Sequence, residues 1–402
     1  MSAAPTVTAT KTFLSHGLPY LTATASNPYA LAGKWLLGTA GMVVGMIHVG
    51  GVTRLTQSGL SMTSWTPLGS LPPLTEQEWL EEFERYQQFP EFEQRQNMTL
   101  SEFQYIYWWE YGHRMLGRVV GVCFFVPWMG FTILGKIPAG YQPRLLGLFS
   151  LGGLQGVVGW WMVKSGLGED RRGDRREIRV QPTRLATHLT LAVVTYSALF
   201  WTALDVFSLP HQSTLAHHVS TLSKDALRQA SRFRAGSIFL TAMTGLSITS
   251  GALVAGNDAG RAFNTWPKMD DYWIPPDLWT AELTPWYRNL THNTATVQFN
   301  HRVLASTTAV TAVSLAIAGL AAARQPGRLV SPQVRQGLYA VSLAATGQAS
   351  LGVTTLLTYV PLPLAVAHQL GSVAVLTSSL YLVHSLRYAA ARVARPIAAV
   401  VR

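Results

Sequence analysis

The chain has 402 residues, of which 48% are hydrophobic and only 13% charged, with a formal net charge of +11. A soluble domain carries about 25% charged residues, so this composition, with its long apolar runs, excludes an ordinary soluble protein and points to an integral membrane protein. The positive balance then belongs to loops on the inner side of a membrane, and with no RNA- or DNA-binding motif present, nucleic acid is excluded as a partner.

In chain order, residues 1–33 form a tail. It lacks a long apolar core and so does not read as a secretory signal; rich in Ser, Thr and Ala and free of acids, it reads as the remnant of a transit peptide. Eight runs long enough to span follow, at about 34–54, 112–134, 144–164, 183–204, 235–256, 296–320, 334–357 and 363–386. Backbone polar groups in lipid must be satisfied internally, so all eight are helices. The expected fold is an all-α integral membrane protein whose eight transmembrane helices form two pseudo-symmetric four-helix bundles. The N-terminal half covers 34–210, an inner linker 211–234, the C-terminal half 235–386, and a basic tail 387–402.

The links alternate in charge. Residues 56–110 carry nine acids against Arg85 and Arg95, whereas 135–145 carries Lys136 and Arg144 with no acid, and 321–335 carries Arg324, Arg328 and Arg335 with no acid. The positive-inside rule puts both termini inside and the long acidic loops outside. The interleaved charges of RRGDRREIR (171–179) read as a solvated outer loop. Within 66–108, LTEQEWLEEFERYQQF has aromatics at helical spacing and predicts a surface helix lying against the outer membrane face.

The two halves repeat one design. TQSGLSMTSWTP (56–67) after the first span matches GNDAGRAFNTWP (256–267) after the fifth, with Gly59 and Gly260, and Trp65 and Trp266, both 201 residues apart. Gln155 and Gln348 take matching places in spans three and seven. An even number of spans per unit makes the repeat parallel.

Histidines carry the chemistry. Each even-numbered span starts outside and carries one histidine near its start: His113, His188, His301 and His368. Intramembrane ionisable residues are rare and functional by default. Two histidines on facing helices are the usual axial grip on haem iron, which pairs His113 with His188 and His301 with His368. Zinc suits the pattern poorly, because it takes four ligands and each half offers two. Arg114 and Arg302 follow their histidines and are placed either to pair with haem propionates or to snorkel to headgroups. The single cysteine, Cys123, reads as a small buried hydrophobe. Glu110 stands one turn before His113, where the second half has Gln298 before His301; a carboxyl beside a cofactor can move protons. That asymmetry predicts a reactive first half and a supporting redox centre in the second. A dihaem b-type electron carrier, or a haem transporter that alters nothing, would use the same histidine pairs and is kept as an alternative.

These motifs, with GGVTRLTQSGLSM (50–62), MTLSEFQYIYWWEYGHRMLGR (98–118), TRLATHL (183–189), QFNHRV (298–303) and AHQLGS (367–372), resemble the haem A synthase family of mitochondrial and alphaproteobacterial type over about 34–386. The resemblance implies oxidation of the C8 methyl of haem O to the formyl of haem A, by two hydroxylations and loss of water, for cytochrome c oxidase. It implies a haem b held by His301 and His368 with Arg302, the substrate near His113, His188 and Arg114, and Glu110 as catalytic or substrate-positioning. It also implies an electron-transfer partner, a haem O synthase as supplier, the mitochondrial inner membrane ahead of a bacterial plasma membrane, and allows a homo-oligomer. Gln57 stands where many relatives carry an acid, and the cysteine pairs of some bacterial relatives are absent.

Overall fold

The computed structural model describes residues 27–66, 68–168, 178–211, 223–323 and 331–390. Most of the N-terminal tail, most of the RRGDRREIR loop, Arg324, Arg328 and the end of the basic tail lie outside the described residues. The helices in chain order are α1 (Ala30–Leu55), α2 (Glu76–Gln87), α3 (Pro90–Glu93), α4 (Leu100–Ile133), α5 (Gln142–Lys164), α6 (Pro182–Ser208), α7 (Lys224–Gly256), α8 (Asn289–His292), α9 (Thr294–Ala323), α10 (Pro332–Leu357) and α11 (Leu362–Ser385). Among the described residues, eight of them are long and apolar enough to cross a membrane: all but α2, α3 and α8. The expected spans and the all-helical class are therefore present.

Two helices start earlier than hydropathy indicates. α4 begins at Leu100 because Thr99 and Glu102 close a capping box, each side chain bonding the other's backbone N–H. Its twelve extra residues add about 18 Å of helix. α7 begins at Lys224, where the Ser223 hydroxyl accepts from the Ala226 N–H at 3.1 Å. Residues 224–234, expected as linker, are thus the first turns of α7.

The amphipathic segment forms the expected helix. α2 is capped by a Thr75–Glu78 box, and the Leu74 and Thr75 N–H groups hold the Glu78 carboxyl below its ordinary pKa range. Its aromatic face lies on the α4 extension. Trp79 meets Tyr107 edge-on at 5.0 Å, and Phe83 stacks on Phe103 at 5.0 Å. The early start of α4 creates the apolar face that α2 covers.

In the first half, α1 and α5 each pack against both α4 and α6; in the second, α7 and α10 each pack against both α9 and α11. The halves meet through α6 against α7, α1 against α11, and α6 against α11. The main core lies at this junction, where Leu36, Ala40 and Val43 of α1 meet Leu199, Phe200 and Ala203 of α6 and Val373, Leu376 and Leu380 of α11. Lipid is as apolar as leucine, so close packing rather than hydrophobicity holds such helices together. Gly33 shows this, since a Cβ there would stand 2.9 Å from the Phe207 ring.

The corresponding outer seams are filled differently. Phe124, Phe125 and Trp128 of α4 surround Phe149 of α5 at 5.4–6.3 Å, while Gly152, Gly153 and Gly156 of α5 face open space. Between α9 and α10 the filling is Ala312 and Ala316 against Leu338, Val341 and Ala345. Large rings hold one helix pair apart, and alanines let the other close.

Two aspartates tie the halves together. Where α1 and α7 end, Arg54 donates to Ala255 O at 2.8 Å and to Asp258 Oδ2 at 3.2 Å, and Arg179 reaches the same carboxylate. Where α6 and α11 end, Asp205 accepts from Arg144 at 2.7 Å and lies 3.0 Å from His384 Nε2, whose backbone carbonyl accepts from Arg387 at 2.9 Å. Removing one member of an enclosed cluster strands the others. Asp205→Ala is expected to cost about 2 kcal/mol, below the figure for a fully buried pair, and to lower the thermal unfolding midpoint of the purified protein in detergent.

Candidate functional site

Helix order and local register bring the four histidines into two pairs. His113 on α4 faces His188 on α6 with ring centroids 6.5 Å apart and planes at 67°. His301 on α9 faces His368 on α11, also at 6.5 Å, with planes at 88°. A metal-bound imidazole nitrogen sits about 2 Å from its metal and the ring centroid about 1 Å further, so two imidazoles gripping one metal put their centroids about 6 Å apart. Both pairs fit that spacing. The buried Nδ1 atoms of His301 and His368 have no hydrogen-bond partner, although buried polar atoms normally find one. Among the described residues no group of three or more His, Cys, Asp or Glu is arranged for a metal. Each pair therefore suits a metal whose other ligands come from elsewhere, as a porphyrin supplies them to haem iron.

The helices between supply glycines. A Cβ at Gly50 of α1 would lie 2.9 Å from His113 Nε2, and one at Gly159 of α5 would lie 3.0 Å from His188 Cε1. In the second half, Gly251 of α7 stands 3.1 Å from His301 Cε1 and Gly352 of α10 stands 2.7 Å from His368 Cε1 by the same measure. Gln155 Nε2 donates to the His188 carbonyl at 3.0 Å, and Gln348 Nε2 to the His368 carbonyl at 2.8 Å. These glycines were not picked out from the sequence alone. The signal was available: Gly50 and Gly251 share the 201-residue offset of Gly59 and Gly260, and Gly159 and Gly352 share the 193-residue offset of Gln155 and Gln348.

Loops after α1 and α7 cover this end of the bundle. Each helix stops at a non-glycine residue in the left-handed region, Gln57 (φ 55°) and Asp258 (φ 49°), an uncommon conformation. Arg95 donates to Gln57 Oε1 at 2.8 Å. Arg114 donates to Ser64 O at 2.7 Å and Met62 O at 3.1 Å; Arg302 donates to Thr265 O and Phe263 O, both at 2.9 Å. Both arginines thus hold loop carbonyls at equivalent places, and the Nε of Arg302 is buried without a partner.

Glu110 is only 3% exposed. Its Oε2 accepts from Ser61 Oγ and the Met62 N–H, both at 2.8 Å, and its Oε1 from Arg114 at 2.5 Å. Gln298, its counterpart, donates to Phe263 O at 3.0 Å and leaves its buried Oε1 unpartnered. The first site therefore has a carboxyl on α4 bonded to its covering loop where the second has a neutral amide on α9. A surface cavity of about 600 Å³, lined by Arg95, Asn97, Glu102 and Tyr105 among others, contains none of the four histidines.

The fold and site define a polytopic helical membrane protein with two paired-histidine centres at one end. Its sequence matches the COX15-CtaA family, described as cytochrome oxidase assembly protein, over residues 33–380, and the chain belongs to that family. It is 43% identical to "Heme A synthase COX15" of Arabidopsis thaliana over 373 residues, 92% of this chain and 78% of the relative. It is 44% identical to "Heme A synthase COX15" of Homo sapiens over 362 residues, 89% and 83% of the two chains. "Heme A synthase" of Nitrosospira multiformis is 41% identical over 355 residues, 88% and 92%.

The glycine contacts are testable. Gly352→Ala forces the His368 ring to move and, on the expectation that this pair grips haem, weakens haem binding about tenfold, in the range seen when a ligand's supporting residues change. Gly45→Ala, where nothing lies within 4 Å of the added carbon, is expected to leave it unchanged. Absorbance of haem retained by the purified proteins reads both.

Proposed function

We propose that this chain converts haem O to haem A, oxidising the C8 methyl to a formyl group. Haem A synthase relatives spanning nearly the whole chain support this activity. The observation that carries the division of labour is the contrast between two histidine pairs of equal spacing, one beside buried Glu110 and the other beside Gln298. On this reading the halves, 34–210 and 235–386, descend from one duplicated unit. The first takes haem O between His113 and His188, and the second holds haem b between His301 and His368.

Haem b, when bound, supplies a one-electron redox centre. The residues do the rest. Glu110, one turn from His113, is the group placed to accept and return a proton at its carboxylate oxygens. Ser61, the Met62 N–H and Arg114 hold that carboxyl in one orientation beside the histidine pair. Arg114 and Arg302 hold the covering loops over their sites; the free Nε of Arg302 remains a donor for an acidic group of the cofactor. The glycines let each imidazole lie against its neighbouring helix, which excludes lipid and water from behind the ring.

The same reading brings an electron-transfer partner, a haem O synthase upstream, and the mitochondrial inner membrane with both termini on the matrix side; a bacterial plasma membrane and self-association are its open variants. A dihaem electron carrier would also use two equal histidine pairs, but it gives Glu110 no task. Haems extracted from purified wild type and Glu110→Gln, identified by chromatography and mass spectrometry, separate these. Haem A or a hydroxylated precursor in wild type, with haem O alone beside haem b in the variant, is the expected result. Haem b alone in both, at two per chain, would establish the carrier instead. His301→Ala and His368→Ala are expected to lose the haem b spectrum; its survival in both would move haem b elsewhere.

A further inference from the structure

The two sites are joined by one short stretch of α1. Gly50 backs His113 of the first half. Gly51, the next residue, faces the other way, toward α11 of the second half. A Cβ at Gly51 would stand 1.8 Å from Gln369 Oε1 and 2.9 Å from Gln369 Cδ. The Gln369 amide thus fills the notch that the missing side chain leaves. Its Nε2 donates to the Ile47 carbonyl of the same helix at 3.3 Å. Gln369 directly follows His368 in AHQLGS. Gly50 and Gly51 thus connect His113 on one side with Gln369, the sequence neighbour of His368, on the other.

The reciprocal contact lacks this device. By the 201-residue offset Gly51 corresponds to Ala252, and by the 180-residue offset of His188 and His368 Gln369 corresponds to Leu189. Ala252 is buried and Leu189 packs against the main core. So of these two reciprocal junctions between the halves only α1–α11 carries an amide seated in a glycine notch, an arrangement that Gln348 and Gly371 repeat inside the second half.

We propose that Gln369 is a positioning residue that keys the helix bearing His368 into α1 and so sets the second histidine site against the first. This rests on the reading that both pairs hold haem. An amide fixed by shape and by one hydrogen bond admits a single register between the helices, a constraint that the apolar Leu189 and Ala252 at the corresponding positions cannot supply. Misplacement of about 1 Å between reacting groups costs up to a hundredfold in rate.

The test uses the full chain in detergent. Gly51→Ala touches no histidine of the second half, yet it is expected to shift the electron paramagnetic resonance signal of haem b and to reduce conversion of haem O by about tenfold. Gln369→Ala alone is expected to keep haem b while reducing conversion. The double variant Gly51→Ala/Gln369→Ala removes the clash, and its haem b signal is expected to return to the wild-type position. A wild-type signal and wild-type conversion in Gly51→Ala would overturn the proposal. So would a shifted signal that the double variant does not restore, since that marks general packing damage. Absence of haem b from wild type would instead overturn the two-haem reading beneath it.

Discussion

Each of the four paired imidazoles occupies space that a methyl group on the adjacent helix would claim. Glycine is the one residue that concedes it, and it does so at Gly50, Gly159, Gly251 and Gly352. A glycine in a helix interior costs about 1 kcal/mol relative to alanine. That cost is accepted here four times, on four different helices, each time beside a histidine. The packing of both bundles follows from this requirement: the histidines ride on α4, α6, α9 and α11, and the glycines on the helices that alternate with them around each ring.

On this common plan the halves differ at the margins. Glu110 gathers Ser61, Met62 and Arg114 around a carboxylate; Gln298 reverses the polarity, donating to Phe263 O instead. Aromatic rings hold α4 and α5 apart where alanines close α9 on α10. Both differences make the first half the less regular one. That fits the half assigned to a substrate that must arrive and leave, against one assigned to a resident cofactor.

Much of this was legible in the chain. Hydropathy marked all eight spans, since lipid leaves the backbone no alternative to helix. The histidine pairing followed from orientation and from matched spacing. Three features were not legible, each for a physical reason. The α4 extension is polar enough to escape a hydropathy count, and a capping box rather than apolarity starts it. The aromatic face of α2 looks the same whether lipid or protein covers it, and only the position of α4 decides. A glycine in an apolar run shows nothing of what lies opposite, so the notch filled by Gln369 becomes visible only once α1 and α11 are side by side.

The aspartate clusters bear on how interchangeable the halves are. Asp205 belongs to the first half and reaches His384 of the second, whose ring Arg387 meets on its other side; Asp258 belongs to the second and reaches Arg54 and Arg179 of the first. Neither is duplicated. By the 180-residue offset, a copy of the first half standing in for the second would present Leu204 and Phe207 where His384 and Arg387 now lie. A copy of the second half standing in for the first would offer Ala255 where Arg54 now lies. Each half therefore lacks the partners that its own aspartate finds in the other. The junction between the halves is thus that of a heterodimer in all but its covalent continuity.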